Sequence, residues 1–209
     1  MRKLCLIVAS LISLALSGSA FADPVDNPGP FNLFFDAGSL TIGTLAPFVI
    51  TSLSVGPGVI SDTSGSLSVP AGNIVLPDSV IPAPIIGDVT VHFEPLQDAT
   101  GTLNALTGDM TSTLAFRVHL INPFLPTECG VSPDPLNLTS GTDGALTGIP
   151  YSSDDGTVTL VNNSFGVPRS TGCGLFAGAI DNAIGLPSPP GNNSLDQLHG
   201  TFDTIFVGS

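Results

Sequence analysis

Four polar side chains on two predicted strands are the best candidates for chemistry in this chain. His92 and Glu94 lie on the polar face of a predicted strand at 88–94, and Arg117 and His119 lie on the polar face of another at 110–121. If the two strands are neighbours, the four side chains form one polar cluster, which would suit proton transfer or metal binding. The alternative is a solvated strand face whose ion pair contributes under about 1 kcal/mol.

A second candidate is a calcium site in the acidic loops between Cys129 and Gly156. These loops are rich in hydroxyl and carbonyl oxygens, which together with carboxylates are the ligands that Ca²⁺ prefers. The aspartates concerned are Asp134, Asp143, Asp154 and Asp155. No Asp-x-Asp-x-Asp-Gly loop is present, so ordinary solvated loops are the alternative. No other cofactor is expected.

Familiar catalytic motifs do not occur in the sequence. We find no Gly-x-Ser-x-Gly, no His-Glu-x-x-His, no phosphate-cradling glycine loop and no Rossmann pattern. We therefore expect that the protein is not an enzyme. A hydrolase that uses His92 or His119 ranks last among the functional hypotheses.

The first 22 residues predict export. Arg2 and Lys3 precede an apolar run at 4–16, and Ala20-Phe21-Ala22 forms a small-residue cleavage signal. This order is typical of a secretory signal peptide, and the run is too short to span a bilayer. We expect a mature protein at 23–209 that is secreted or associated with the cell envelope and does not span the membrane.

Charge and cysteine usage narrow the functional classes further. The chain has 17 acidic and four basic residues, and only Arg117 and Arg169 of the basic ones follow the predicted signal. Nucleic-acid binding is disfavoured because it needs clustered Lys and Arg. Cys129 and Cys173 are the cysteines left after the signal, and a lone pair in an oxidising compartment most simply forms a disulfide.

Short alternating runs predict a mainly β domain. The chain contains 24 Gly and 19 Pro, and its clearest strand, at 110–121, alternates with period two over its whole length. Helical spacing predicts one short helix at 175–184, ended by Gly185 and tethered through Cys173. We expect a single domain at 23–209: an antiparallel β-sandwich or flattened barrel with one short disulfide-tethered helix. Weaker strands are predicted at 39–45, 48–55, 66–69, 73–76, 101–106 and 157–161.

Several strings in the last part of the chain are distinctive in combination. They lie at 99–103, 116–120, 122–125, 162–168, 171–174 and 186–193, with Cys129 among them. Together they resemble small exported proteins of unknown function from high-GC Gram-positive bacteria. The resemblance implies an exported envelope protein with a bridge between two cysteines, and it carries no catalytic residue.

Three functional hypotheses follow. The leading one is a non-enzymatic structural or interaction protein whose partner is an unknown protein or envelope component. The alternative is an extracellular binding module for a small apolar ligand such as a lipid, because 42% of the residues are hydrophobic and only 10% are charged. The hydrolase is the third.

Overall fold

The fold consists mainly of antiparallel strands, as the alternating sequence predicts. The computed structural model describes residues 28–83 and 87–203, so the predicted signal peptide lies outside the described residues. Within them the strands are β1 Gly29–Thr41, β2 Phe48–Ile50, β3 Leu53–Ile60, β4 Ser66–Val69, β5 Ile74–Val75, β6 Ser79–Ala83, β7 Gly87–Pro95, β8 Ala99–Leu103, β9 Met110–Leu114, β10 Phe116–Ile121, β11 Gly130–Val131, β12 Leu136–Thr139, β13 Thr142–Asp143, β14 Leu146–Thr147, β15 Thr157–Asn162 and β16 Ser194–Asp203.

Eight of these strands close into an antiparallel barrel. Their order is β1-β16-β15-β12-β9-β8-β4-β3, and β3 pairs back onto β1. Phe34 of β1 shows the closure, because it is opposite Thr201 of β16 on one side and Ser54 of β3 on the other. The prediction of a mainly β fold with a flattened barrel is therefore confirmed.

Alternation along each strand fills the barrel with apolar side chains. Phe31, Leu33 and Phe35 of β1 point inward and are buried, whereas Phe34 between them is half exposed. Burying each such side chain stabilises the fold by roughly 1.5–3 kcal/mol. The packing leaves an apolar cavity of about 60 Å³ inside the barrel, lined by Phe31, Leu160 and Leu198 among others.

The outer face of the barrel carries hydroxyl groups in register. Ser66, Thr102 and Thr111 form one row across β4, β8 and β9. The Thr102 and Thr111 hydroxyls are hydrogen bonded at 2.9 Å. This side of the barrel is therefore polar, as alternation requires of a sheet with one face in solvent.

A second, four-stranded sheet packs against the barrel in the order β11-β10-β7-β6. Its inner face buries Val91 and Phe93 of β7 and Val118 of β10. Phe93 packs edge-on to Phe48 of β2 with ring centroids 6.4 Å apart. Both sheets contribute to one hydrophobic core.

The long strand predicted at 110–121 is two strands. β9 belongs to the barrel and β10 to the four-stranded sheet, with Ala115 between them. The Ala115 carbonyl accepts a hydrogen bond from Leu96 N at 2.9 Å instead of continuing either ladder. Alternation persists through the break, because both strands face the same core, and so the sequence pattern does not reveal it.

The predicted helix and disulfide are both present. A 3₁₀ turn at Gly174–Phe176 leads into helix α1, Ala177–Ile184, and Cys173 just before it is bonded to Cys129. Leu175, with which the predicted helix begins, lies in the 3₁₀ turn instead and is fully exposed. Gly185 ends the helix in the left-handed conformation with a φ of 78°, which glycine adopts readily because it has no Cβ atom.

Candidate functional site

The outer face of the four-stranded sheet brings the predicted polar residues together in two opposed pairs. In the antiparallel register of β7 and β10, His119 is opposite His92 and Arg117 is opposite Glu94. Residues directly opposite in such a pair project from the same side of the sheet. The two strands are therefore neighbours, as the sequence hypothesis of one polar cluster requires.

Each histidine of the pair has one ring nitrogen held by an oxygen acceptor. His92 Nδ1 lies 2.6 Å from Asp78 Oδ1, and both side chains are about half exposed. His119 Nε2 is hydrogen bonded to the carbonyl oxygen of Thr127. Neither Asp78 nor Thr127 was identified from the sequence, because each precedes a strand whose pairing was unknown.

The loop at 122–129 supplies the Thr127 carbonyl because it turns back onto β10. Asn122 starts the turn: its side-chain oxygen accepts from Phe124 N at 2.8 Å and its carbonyl accepts from Leu125 N at 3.0 Å. The returning strand β11 then places Gly130 opposite His119. A Cβ atom at Gly130 would lie 2.6 Å from the Val118 carbonyl oxygen, so this close approach needs glycine.

Arg117 is paired with Glu128 of the same loop. Its Nη2 donates to the Glu128 carbonyl, and its Nη1 lies 3.7 Å from Glu128 Oε2. The Glu128 side chain is 78% exposed, so the ion pair contributes at most about 1 kcal/mol. Glu94, expected from the sequence to accompany Arg117, is opposite it in register.

The predicted calcium ligands are not brought together. Asp134 accepts a hydrogen bond from Gly166 N, Asp143 from Asn163 N, and Asp155 from Thr157 N and Oγ1. The two hydrogen bonds from Thr157 are the largest cause of the lowered pKa of Asp155. Within residues 28–83 and 87–203 no group of three or more His, Cys, Asp or Glu side chains is arranged to hold a metal ion. The carboxylates of these three aspartates thus order local loops, and Asp154 joins no ligand group among the described residues.

The third histidine forms a separate hydrogen bond with an aspartate on the barrel. His199 Nδ1 lies 2.7 Å from Asp36 Oδ1, and the hydrogen bond from His199 lowers the pKa of Asp36. The two residues are 163 positions apart and meet because β1 pairs with β16. The sequence offered no signal for this contact.

An exposed apolar row lies next to the histidine pair on the same face. Ile121 and Val80 are 47% and 62% exposed, and both are opposite Thr90 in the register of the sheet. Since successive outward positions of a strand are two residues apart, this row lies about 7 Å from the histidine row. The outer face of this sheet thus combines a polar row and an apolar row.

Comparison with protein-family models, curated proteins and solved structures finds no match for this chain. Among the described residues, no helix is both long enough and apolar enough to cross a lipid bilayer.

Proposed function

We propose that the protein acts outside the cytosol as a non-enzymatic structural or interaction protein. In this proposal the outer face of the four-stranded sheet contacts a protein of the cell envelope or its surroundings. The observation that carries the proposal is the exposed row of Ile121, Thr90 and Val80 beside the polar side chains of His92 and Arg117. A small apolar centre with a polar rim is the usual composition of a protein–protein contact.

Charge supports a basic partner. The chain has 17 acidic residues against four basic ones, and on this face the Arg117 guanidinium already has Glu128 as its partner. Complementary potentials accelerate association and exclude partners of like charge. The disulfide between Cys129 and Cys173 supports an oxidising location.

The size of the barrel cavity favours this proposal over a lipid carrier. Pockets for small organic ligands usually have volumes of roughly 300–1,000 Å³. The apolar cavity inside the barrel has only about 60 Å³. It is smaller than the engineered protein cavity of about 150 Å³ known to hold benzene.

The hydrogen bonds of the histidines give no support to the hydrolase hypothesis. The hydrogen-bond acceptors of the three imidazoles are the carboxylates of Asp78 and Asp36 and the carbonyl of Thr127. A nucleophilic hydrolase needs a hydroxyl or thiol within hydrogen-bond reach of the base. His92 and His119 instead bond to oxygen acceptors.

Site-specific photo-crosslinking in producing cells tests the proposal. A photoreactive residue in place of Ile121 should give one discrete adduct. The same residue in place of Val49 should not, although Val49 is 74% exposed on β2, which pairs with barrel strand β1. Purified partner should then bind the wild-type chain but not Ile121→Asp, while Val49→Asp binds normally. Equal labelling at both positions, or no adduct at position 121, would contradict the proposal.

A further inference from the structure

We propose that His92 and His119 together bind one divalent transition-metal ion of the Zn²⁺, Ni²⁺ and Cu²⁺ class on the outer face of the four-stranded sheet. The site rests only on these side chains and the groups that hold them, and it does not depend on the proposed function. Imidazole nitrogen is a preferred ligand for this class of ion.

The strand register supplies the distance that shared coordination needs. Directly opposed residues of an antiparallel pair have Cβ atoms about 4.5–5.5 Å apart, and His92 and His119 are so opposed. Two nitrogens bound tetrahedrally to one zinc ion at about 2.0–2.1 Å lie only about 3.3 Å from each other, within reach of two imidazoles on such Cβ atoms. Gly130, on the other side of His119, has no side chain, and the Arg117 side chain occupies that space, with Nε 2.9 Å from where a Cβ at Gly130 would lie.

The hydrogen bonds leave one nitrogen of each ring available as a ligand. A carboxylate and a carbonyl only accept, so we assign the ring protons to Nδ1 of His92, facing Asp78, and to Nε2 of His119, facing Thr127. In the neutral rings, Nε2 of His92 and Nδ1 of His119 then carry the lone pairs. Metal-binding histidines commonly have this arrangement, in which an oxygen acceptor on the second ring nitrogen orients the ring and increases its basicity.

Local charge favours a cation at this position. Asp78 is hydrogen bonded to His92, and Glu94 lies one outward position from it on the same strand. The nearest cationic side chain on the face is Arg117, one outward position from His119, and Glu128 partly neutralises it at 3.7 Å. Carboxylates near the pair therefore outnumber the single guanidinium.

Two protein ligands leave coordination positions open. Structural zinc sites use four protein ligands, whereas sites with fewer complete their coordination with water or an added group. The described residues contain no group of three or more potential ligands, so water or a partner's donor must fill the remaining positions here. We expect copper to bind most tightly, as the general order of divalent affinities requires.

Calorimetric titration of untagged protein with Cu²⁺ and Zn²⁺ measures the site directly. The wild-type chain should bind one ion, and His92→Ala and His119→Ala should each weaken binding at least tenfold. His199→Ala is the matched control, since His199 is also a half-exposed strand histidine with an aspartate partner but lies alone on the barrel. The His199→Ala variant should bind the ion with the same affinity as the wild type.

Electron paramagnetic resonance of the Cu²⁺ complex separates coordination from indirect effects. Two imidazole nitrogens should contribute to the wild-type spectrum and one to the spectrum of either histidine variant. Asp78→Asn, which removes the charge that orients His92, should weaken binding while both nitrogens remain coordinated. Absence of binding by the folded wild type at millimolar metal, or unchanged binding and spectra in both histidine variants, would overturn the proposal. Circular dichroism identifies any variant that fails to fold, and His92→Gln and His119→Gln then replace it.

Discussion

A single buried amide, Asn193, connects three loops, and replacing it by aspartate should make the loss of stability grow as the pH rises. Its side chain is completely buried. Nδ2 lies 2.9 Å from the Phe165 carbonyl oxygen, 3.3 Å from that of Ser188 and 3.1 Å from that of Pro189. Oδ1 accepts from Gly43 N at 2.9 Å. Every polar atom of this side chain therefore has a partner.

The substitution Asn193→Asp preserves the shape and the acceptor but replaces the donor by an oxygen. An ionised carboxylate would then be buried against three carbonyl oxygens, so burial and repulsion raise the pKa of the new carboxyl in the folded state above its unfolded value of about 3.9. The protein can avoid the buried charge by protonating the group. The cost of protonation at pH 7 is about 1.4 kcal/mol per pH unit above the unfolded pKa, or about 4 kcal/mol.

The direction of the pH dependence follows from linkage. A carboxyl whose pKa is raised on folding causes no pH-dependent loss of stability below its unfolded pKa. The free energy of unfolding then falls as the pH rises towards the pKa of the folded state. Urea unfolding at pH 4 and pH 7 should therefore show that Asn193→Asp loses about 3–4 kcal/mol more, relative to wild type, at pH 7 than at pH 4. Asn192→Asp is the matched control, because Asn192 is the exposed neighbour. Equal losses at both pH values would refute the reasoning.

Three further changes test the rest of the fold. Replacing Cys129 and Cys173 by alanine removes a link across 44 residues. This should lower the free energy of unfolding by roughly 4 kcal/mol in urea titrations, and a loss under about 1 kcal/mol would contradict the loop-closure estimate. Asp181→Asn should reduce the loss of thermal stability that occurs below about pH 4. Burial raises the pKa of Asp181, but hydrogen bonds from Ser170 and Arg169 outweigh this effect, so the pKa is lowered and the ionised carboxylate stabilises the fold above that pH range. A melting temperature that falls in acid as steeply as that of the wild type would refute this. Gly101→Ala should destabilise strongly, because its Cβ would lie 2.1 Å from a backbone oxygen of β9, whereas Gly72→Ala, with nothing within 4 Å, should be nearly neutral in the same melting assay.

Much of the local structure could be predicted from the sequence. The strand at 66–69 was predicted with its observed bounds, β7 extends the one at 88–94 by one residue at each end, and the helix ends before Gly185 as expected. These predictions succeeded because alternation and helix-ending glycine are local consequences of backbone geometry. The strand β6, with Pro82 inside it, was missed because proline weakens a strand pattern.

The candidate site was only half predictable. That His92 and His119 lie on outward strand faces follows from alternation along each strand. That they are opposite one another requires the register of β7 and β10, which depends on the two sheets separating at Ala115. The partners Asp78 and Thr127 follow in turn from how β6 and β11 dock on that sheet.

The sequence alone therefore predicted most of the segments that alternate clearly, the apolar face of each, where the helix ends and which sulfurs pair. Only the tertiary structure decided which strands are neighbours, as when β1 meets β16 across 163 residues to pair Asp36 with His199. The physical reason is that side-chain alternation depends on the nearest few residues, whereas strand pairing depends on backbone hydrogen bonds that must be satisfied around the whole closed barrel.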